Sequence, residues 1–421
     1  MLTYFLFFFY LFSGTLLLHV IIRRKIFPFT IYHTGSVVFY RIFMGCLYGW
    51  VFYHYYGGDD TWNFFDESKD QTDLLLRHPA QFFQEFLPVF AYHVTGNHFL
   101  QAFRFYVENF ERWFMIKGLA ILNLFSGKNY YINVVLFDML TIPGPLLLFK
   151  MLSAKFPLRS GMYFLVVFFI PSVVFWCSGI RAEALLLLSM MLILYNGDAY
   201  ALSPGPRKIL FILAGFCGLL LLRYQFMLIF LPAYFAYQLS LRKKIFSPGI
   251  YNRIYIGLII LFMASLFLPQ PYQLSRPMAE TQQKFFLLHG NTRYGLDSLE
   301  PGPLSALKVL PQAFANSMLR PFPWEGKNLL QSGSSVEVLM LLAGLLFFLL
   351  DRRRREQVSV PLCWFFLYYG ICQFITIGYT VPFPGAIVRY RTIPFLFLIV
   401  FLYSGHPLLQ QKLRYWIFKI H

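Results

Sequence analysis

Charged residues are scarce in this chain. Only 13% of its 421 residues are Asp, Glu, Lys or Arg, whereas 58% are hydrophobic and 20% are aromatic. A soluble globular domain carries about 25% charged residues. The shortage excludes a soluble protein of this length and predicts an all-α fold, a polytopic α-helical membrane protein in which residues 1–421 form a single transmembrane domain.

Cysteine is also sparse, and no pair of cysteines is spaced as CxxC. The five cysteines lie mostly inside apolar segments, at Cys46, Cys177, Cys217, Cys363 and Cys372. Zinc sites and disulfide frameworks need clustered or regularly spaced cysteines. We therefore interpret these residues as small side chains of membrane helices.

Acidic residues are outnumbered, with 19 Asp and Glu against 36 Lys and Arg, a formal net charge of +17. Nucleic-acid binding is one source of such an excess. Here the basic residues fall in short clusters between apolar segments, as the positive-inside rule describes for cytoplasmic loops. We therefore predict no nucleic-acid partner and use the clusters to orient the chain.

The first apolar segment, Leu2 to Ile22, lacks the basic start and small-residue cleavage site of a signal peptide. Arg23-Arg24-Lys25 follow it directly. We predict an uncleaved span with its N-terminus outside, so that the second span, Ser36 to Tyr56, runs outward. Asp59 and Asp60 then emerge on the outer face.

Under the same rule the later apolar segments cross the membrane in alternating directions. Arg352 to Arg355 are the strongest indication of a cytoplasmic loop. The segments are Tyr131 to Phe149, Met162 to Trp176, Arg181 to Tyr195, Ile209 to Leu222, Phe226 to Leu239, Ile254 to Leu268 and Val336 to Leu350, followed by a hairpin that turns at Val381 to Gly385. About eleven spans result. Several contain only about 15 residues, so tilted, broken or re-entrant helices are expected.

Two long segments are predicted outside the membrane, 57–129 and 269–335. In the first, the apolar spacing of Leu74 to Ala91 predicts interfacial helices. Trp113 to Phe125 is apolar but short and contains Lys117. We predict a partly embedded helix there, and an extra span, which would reverse the topology, is the alternative.

The most informative motif is Gly58-Asp59-Asp60, directly after the second span. The chain continues Thr61-Trp62-Asn63-Phe64-Phe65-Asp66-Glu67, so acids and aromatic rings interleave. Carboxylates can accept protons or hold a divalent metal, and rings stack on sugars. The pattern indicates a sugar-handling site, and a solvated loop start is the alternative.

Under this topology several ionisable residues meet at the outer helix ends: Asp59, Asp60, Arg181, Glu183, Arg223, Arg389 and Arg391. Outer arginines oppose the cytoplasmic bias of cations and are costly unless they meet an anion. Arg181, in the first turn of a helix, would suit a phosphate. A structural pair with Asp59 or Glu183 is the alternative. Arg389 and Arg391 point about 200° apart on a helix, so we expect one of them at the ligand.

Two further candidates lie elsewhere. Asp138 sits inside an apolar span, where an acid is a functional candidate, although a hydrogen-bonded structural role stays open. The segment Arg320 to Gly326 includes Trp324 and is rigid, aromatic and charged. It suits stacking on a sugar or packing over a lipid chain, and a proline-rich interfacial anchor is the alternative.

An acid pair in the first large outer loop, interfacial helices after it, many spans and outer arginines resemble the GT-C superfamily of integral-membrane glycosyltransferases. The motifs concerned are Gly58-Asp59-Asp60, Pro171 to Glu183 and Ile387 to Arg391. The predicted span before the acid-bearing loop departs from that family.

This resemblance implies transfer of a sugar from a polyprenyl-phosphate donor to a glycan, lipid or protein acceptor, at the periplasmic face of a bacterial inner membrane. Asp59 or Asp60 would act on the acceptor and the arginines would hold the phosphate. The resemblance implies no certain cofactor, and a divalent metal between Asp59 and Asp60 stays open.

Other functions fit parts of the pattern. A polysaccharide polymerase or ligase of the O-antigen type would use a glycan on lipid pyrophosphate, and Gly179 to Glu183 matches it equally well. A transporter or flippase should show internal repeats and midplane ionisable groups, and we find no convincing repeat. The chain has no nucleotide loop, HExxH or GxSxG signature, so a structural subunit is a further alternative.

Overall fold

A computed structural model describes residues 1–25, 29–84, 86–87, 91–92, 94–96, 98–243, 247–269, 272–288, 292–300, 303–326, 329–350, 360–403 and 414–418. Within these ranges the regular structure is helical and no strand occurs. The all-α prediction is therefore confirmed. The chain divides into two compact units, Met1–Met227 with Leu409–His421, and Leu228–Leu408. Arg352 to Arg355 lie outside the described residues.

The described residues of the first unit form ten α-helices and the start of an eleventh. They are α1 (Leu2–Lys25), α2 (Ile31–Tyr56), α3 (Asp60–Arg77), α4 (Pro79–Gln84), α5 (Phe99–Ser126), α6 (Tyr130–Thr141), α7 (Pro143–Lys155), α8 (Ser160–Phe169), α9 (Pro171–Ser178), α10 (Ala182–Leu202) and α11 (Pro206–Lys243).

The second unit contains the end of α11 and the helices that follow it. These are α12 (Ser247–Ser265), α13 (Arg276–Phe286), α14 (Pro303–Phe314), α15 (Leu329–Leu350), α16 (Pro361–Thr380), α17 (Pro384–Tyr390) and α18 (Thr392–Tyr403). The second predicted outer segment, 269–335, therefore contains α13 and α14, and α15 begins inside it.

The described residues include 8 helices long and apolar enough to cross a membrane, or up to 10 spans when each bent pair counts as one. This composition is that of a polytopic integral membrane protein. The bent pairs are α8 with α9, at 51°, and α17 with α18, at 57°. The first break lies at Ile170, because Pro171 restricts the residue before it to extended backbone. Broken spans agree with the short apolar segments, and the count of about eleven is not confirmed.

The predicted hairpin of Ile209 to Leu222 and Phe226 to Leu239 corresponds to α11, in which two helical segments meet at a kink. α11 has 38 residues and is non-helical at Arg223, where φ is −154° and ψ is 87°. The predicted turn at 223–225 thus corresponds to one extended residue.

The first predicted outer segment, 57–129, is largely helical. α3 buries Thr61, Phe65, Ser68 and Thr72, which recur at helical spacing on one face. Across this face the Asn123 amide of α5 donates to Ser68 Oγ at 2.9 Å and to Thr72 Oγ1 at 3.1 Å. Leu74 to Ala91, predicted to form interfacial helices, contains the end of α3 and α4. The two helices are separated at His78, because Pro79 disfavours helical backbone in the residue before it. α3 and α5 therefore pack through a polar seam.

α5 contains the segment Trp113 to Phe125 but begins much earlier, at Phe99. It is not among the described helices that are apolar enough to cross a membrane. A partly embedded helix at Trp113 to Phe125 stays a prediction.

Charged residues lie at both ends of α10. Its 21 residues extend about 32 Å, close to the thickness of a bilayer core. Arg181 and Glu183 stand at its N-terminal end. Around its C-terminal end Lys155 Nζ lies 2.6 Å from Asp198 Oδ2, Lys208 Nζ donates to the Ala199 carbonyl at 2.9 Å, and Lys150 Nζ lies 4.9 Å from the Tyr195 ring. Three lysines therefore gather at the end of α10 that lies opposite Arg181 and Glu183.

α2 and α6 are joined by a buried ion pair. Arg41 Nε donates to Asp138 Oδ1 at 2.8 Å, and the two side chains are 7% and 1% exposed. Arg41 Nη2 also donates to Thr141 Oγ1 at 3.0 Å and to the Cys177 carbonyl. Of the two roles left open for Asp138, these contacts support the structural one.

Removing one partner of the Arg41–Asp138 pair should destabilise the protein more than removing both. Asp138→Asn leaves a buried guanidinium uncompensated, which costs about 3–5 kcal/mol. Arg41→Met/Asp138→Leu removes both charges and should recover much of that loss. Unfolding of purified protein by SDS in mixed micelles measures the difference. A double variant that is no more stable than Asp138→Asn would contradict this account.

Candidate active site

A glycine turn places the acid pair at the end of α2. Gly57 and Gly58 have φ values of 72° and 106°, conformations that residues with a Cβ rarely adopt. The N–H of Gly58 donates to the Phe52 carbonyl at 2.9 Å and so ends the helix. Asp59 then caps α3, because its Oδ1 accepts from the N–H groups of Thr61 at 3.1 Å and Trp62 at 3.3 Å.

Arg181 connects both acids to α2. Its Nη2 lies 2.7 Å from Asp59 Oδ2, its Nη1 lies 3.2 Å from Asp60 Oδ2, and its Nε donates to the Tyr48 hydroxyl at 2.6 Å. The Tyr48 hydroxyl donates in turn to Asp59 Oδ2. Arg181, Asp59 and Tyr48 therefore form a closed set of hydrogen bonds. The pair with Asp59, the alternative weighed for Arg181, is the contact observed.

The two acids differ in access. The Asp59 side chain is 10% exposed and the Asp60 side chain is 61% exposed. Both oxygens of Asp59 accept hydrogen bonds from the protein, so Asp59 holds the local structure. Asp60 contacts Arg181 and still faces the surface.

Two other predicted site residues, Arg223 and Glu183, lie close to each other. Arg223 Nη2 lies 3.2 Å from Glu111 Oε1 and 3.8 Å from Glu183 Oε1. The Glu183 side chain is 4% exposed. Arg223, whose backbone is extended, thus lies between Glu111 of α5 and Glu183 of α10. The first unit thus brings Asp59, Asp60 and Arg181 into one hydrogen-bonded group, and it places Arg223 at salt-bridge distance from Glu183.

The residues do not fit a divalent metal between Asp59 and Asp60. Mg²⁺ and Ca²⁺ need several oxygen ligands, whereas a guanidinium already lies beside both carboxylates. Among the residues that the structure describes, no three His, Cys, Asp or Glu side chains form a group suited to a metal ion. We derive no step through a metal.

Close packing of α2 against the chain after α9 positions Tyr48. A Cβ on Gly179 would lie 2.7 Å from Cδ1 of the Tyr48 ring, and one on Gly45 would lie 2.5 Å from the Ser178 carbonyl oxygen. Neither distance is sterically allowed. The two glycines therefore permit the approach that brings Tyr48 to Arg181.

Sequence reasoning missed Tyr48 and Glu111. Tyr48 lies in an aromatic membrane segment and Glu111 in an amphipathic helix, so neither position stands out from its neighbours. The one available signal was Gly179 beside Arg181, since a small residue there allows close packing of a large partner.

The other three predicted residues lie in the second unit. Arg391 is 3% exposed and donates to the Ser317 carbonyl at 3.0 Å, the Arg320 carbonyl at 2.5 Å and Ser334 Oγ at 2.7 Å. It thus satisfies carbonyl groups at the end of a π-helix, Ala315–Leu319. We assign it a structural role in this unit.

Arg389 and Trp324 have different surroundings. Arg389 donates to the Tyr390 hydroxyl at 2.6 Å, and its guanidinium carbon lies 4.6 Å from that ring centroid. Trp324 is 80% exposed and stacks on Phe322, with ring centroids 4.9 Å apart. A ligand shared by these residues and Arg181 stays a prediction.

Glu325 fixes the segment that carries Trp324. Its Oε1 accepts from Arg320 Nε at 2.9 Å, and its Oε2 accepts from the Phe322 N–H at 2.9 Å. Burial alone would raise the pKa of Glu325, but the hydrogen bonds from Arg320 and Phe322 lower it below its usual value.

No family model matches the chain, and no curated protein and no solved structure is significantly similar to it.

Gly179→Ala should destabilise the first unit by about 1–3 kcal/mol, because the added methyl group overpacks against Tyr48. Gly179 has φ −63° and ψ 159°, which alanine adopts freely, so the effect isolates the steric contact. Gly35→Ala on α2 is the matched control, since a Cβ there meets nothing within 4 Å. Thermal unfolding of both variants gives the comparison. Equal midpoints for the two would refute the packing argument.

Glu325 should stabilise the protein only at pH values at which its carboxylate is ionised. Its folded-state pKa is lower than the unfolded-state value of about 4.3, so its contribution is fully present above that value. The contribution is lost as the pH falls through the folded-state pKa. The stability difference between wild type and Glu325→Gln should therefore shrink from pH 7 to pH 3. A difference that stays constant over this range would show that the carboxylate contributes nothing.

Proposed function

We propose that this protein is a membrane glycosyltransferase that moves a sugar from a polyprenyl-phosphate donor to an acceptor hydroxyl at the periplasmic face of a bacterial inner membrane. The observation that carries the proposal is the exposed carboxylate of Asp60 beside the buried guanidinium of Arg181, at 3.2 Å. These groups stand where apolar helices α2 and α10 end.

Asp60 is the general base in this proposal. As the acceptor oxygen attacks the anomeric carbon, its proton passes to the Asp60 carboxylate. The bond between the anomeric carbon and the phosphate oxygen breaks, and the phosphate leaves with the electron pair. A base of this kind contributes about 10²- to 10⁴-fold to the rate.

Arg181 supports the reaction through its charge. The leaving phosphate gains negative charge in the transition state, and a preorganised guanidinium stabilises such charge in a site of low dielectric constant. Asp59 and Tyr48 hold Arg181, so it does not need to reorganise. Its longer contact, with Asp60, is the one that a phosphate oxygen can compete for.

The position of the site favours a lipid-linked donor. A polyprenyl chain can stay among the apolar helices while its phosphate lies at their ends, next to Arg181 and Arg223. The basic residues around the far end of α10 are about 30 Å away and suit the cytoplasmic face.

Asp60→Asn should abolish transfer without loss of the folded protein, because Asp60 is exposed and its removal leaves the Asp59 contacts intact. Asp66→Asn is the matched control: it lies on the same helix, is 64% exposed and pairs with Lys69 at 2.8 Å. Mass spectrometry of lipid-linked glycans and envelope polysaccharide compares cells with equal amounts of each variant.

Loss of one sugar with accumulation of its lipid-phosphate donor, in Asp60→Asn alone, is the expected result. Accumulation of whole repeat units would instead indicate a polymerase or ligase. Glycans that match wild type in Asp60→Asn would refute the assignment of Asp60 and would favour transport or a structural role.

A further inference from the structure

Two aromatic rings project from the second unit, in the short turn before α15. Trp324 is 80% exposed, and its ring stacks on Phe322 with the centroids 4.9 Å apart and the planes 10° from parallel. Tryptophan is highly buried on average in soluble proteins, because its ring is large and mostly apolar. Two such rings held side by side at the surface indicate contact with something other than water.

The turn that carries the rings is fixed by polar contacts. Glu325 accepts from Arg320 Nε at 2.9 Å and from the Phe322 N–H at 2.9 Å. The Arg320 guanidinium carbon lies 4.1 Å from the Tyr294 ring centroid, and Arg391 donates to the Arg320 carbonyl at 2.5 Å. These contacts join the turn to the rest of the unit. The ring pair is therefore preformed, and binding does not have to order it.

The same turn packs against the start of α15. A Cβ on Gly326 would lie 2.7 Å from Ser332 Oγ and 3.3 Å from Ser332 Cα. Ser332 is itself exposed, and exposed apolar residues follow it along the same face of α15. They are Val336, Leu339, Met340, Leu346, Phe347 and Leu350. The turn therefore lies at one end of an exposed apolar stripe.

This stripe faces lipid. Residues Leu330–Leu350 of α15 are long and apolar enough to cross a membrane. In a membrane-spanning helix an exposed apolar stripe faces the acyl chains, because lipid is the solvent there. The opposite face of α15 is polar near its start, where Ser334 is 4% exposed and accepts from Arg391 at 2.7 Å. The end of the stripe at Ser332 thus lies near the bilayer surface.

The chemistry of the ring pair suits that depth. An indole combines an apolar ring with one polar N–H, and tryptophan is enriched where acyl chains meet headgroups. The charged side chains of Arg320 and Glu325, in the same turn, suit the hydrated headgroups. A sugar could also stack on the rings, but their position at the end of a lipid-facing stripe favours the bilayer.

We propose that Phe322 and Trp324 insert into the bilayer surface at the start of α15, at the level where acyl chains meet headgroups. The pair anchors the turn to the membrane, and Trp324 contacts lipid instead of a sugar. This contact does not depend on the glycosyltransferase reaction, whose residues lie in the first unit.

Tryptophan fluorescence of the full chain in nanodiscs tests this contact. The signal of Trp324 is the difference between wild type and Trp324→Phe, which keeps an aromatic ring at an exposed position. Lipids brominated near the headgroup should remove most of this signal, and lipids brominated near the chain ends should remove less. Iodide in the water should remove little of it, because bromine and iodide quench an indole only at short range.

Trp176→Phe is the matched control, because Trp176 is 8% exposed and its signal should resist both quenchers. Equal quenching of the Trp176 and Trp324 signals by brominated lipid would overturn the proposal. Quenching of the Trp324 signal by iodide alone would also overturn it, and would leave the rings in water for a soluble ligand such as a sugar. Quenching by neither agent would mean that protein covers the rings, and would overturn it as well.

Discussion

The buried guanidinium of Arg181 is the constraint on which the rest of the first unit depends. It stands at the start of α10, where the helix dipole opposes a cation, so carboxylates must offset its charge. Asp59 supplies that charge and also caps α3, and Tyr48 completes the set from α2. One network therefore fixes three helices at the same end of the unit, and Asp60 is held there with its carboxylate exposed.

Arg41 and Asp138 form a second buried ion pair in the same unit. Both arginines lie among apolar helices and both meet an acid from a distant part of the chain, because an isolated charge would be too costly there. The two pairs nevertheless differ in consequence. Arg41 and Asp138 are enclosed, whereas the site near Arg181 opens toward the surface through Asp60. Under the proposed function, Asp59 has the structural role and the neighbouring Asp60 has the catalytic one.

Local patterns in the sequence predicted the helical class, the positions of most apolar segments, the break at 223–225 and the Arg181–Asp59 pair as an alternative. They could not predict Tyr48, Glu111 or Arg41, because these contacts join segments about a hundred or more positions apart and carry no local signal. The polar seam between α3 and α5 was also missed, because its hydrogen bonds join residues 55 and 51 positions apart and carry no local signal. In the second unit, Arg391 looked like a ligand residue but contacts backbone carbonyls, a role that no sequence motif marks.

A double-mutant cycle between Asp59 and Arg181 tests the central claim most directly. Asp59→Asn, Arg181→Met and the double variant are unfolded in mixed micelles, and the coupling free energy is taken from their stabilities. A close, buried pair predicts a coupling of at least about 1.5 kcal/mol. Stabilities that add within about 0.5 kcal/mol would show that the two residues do not depend on each other, and would contradict the account.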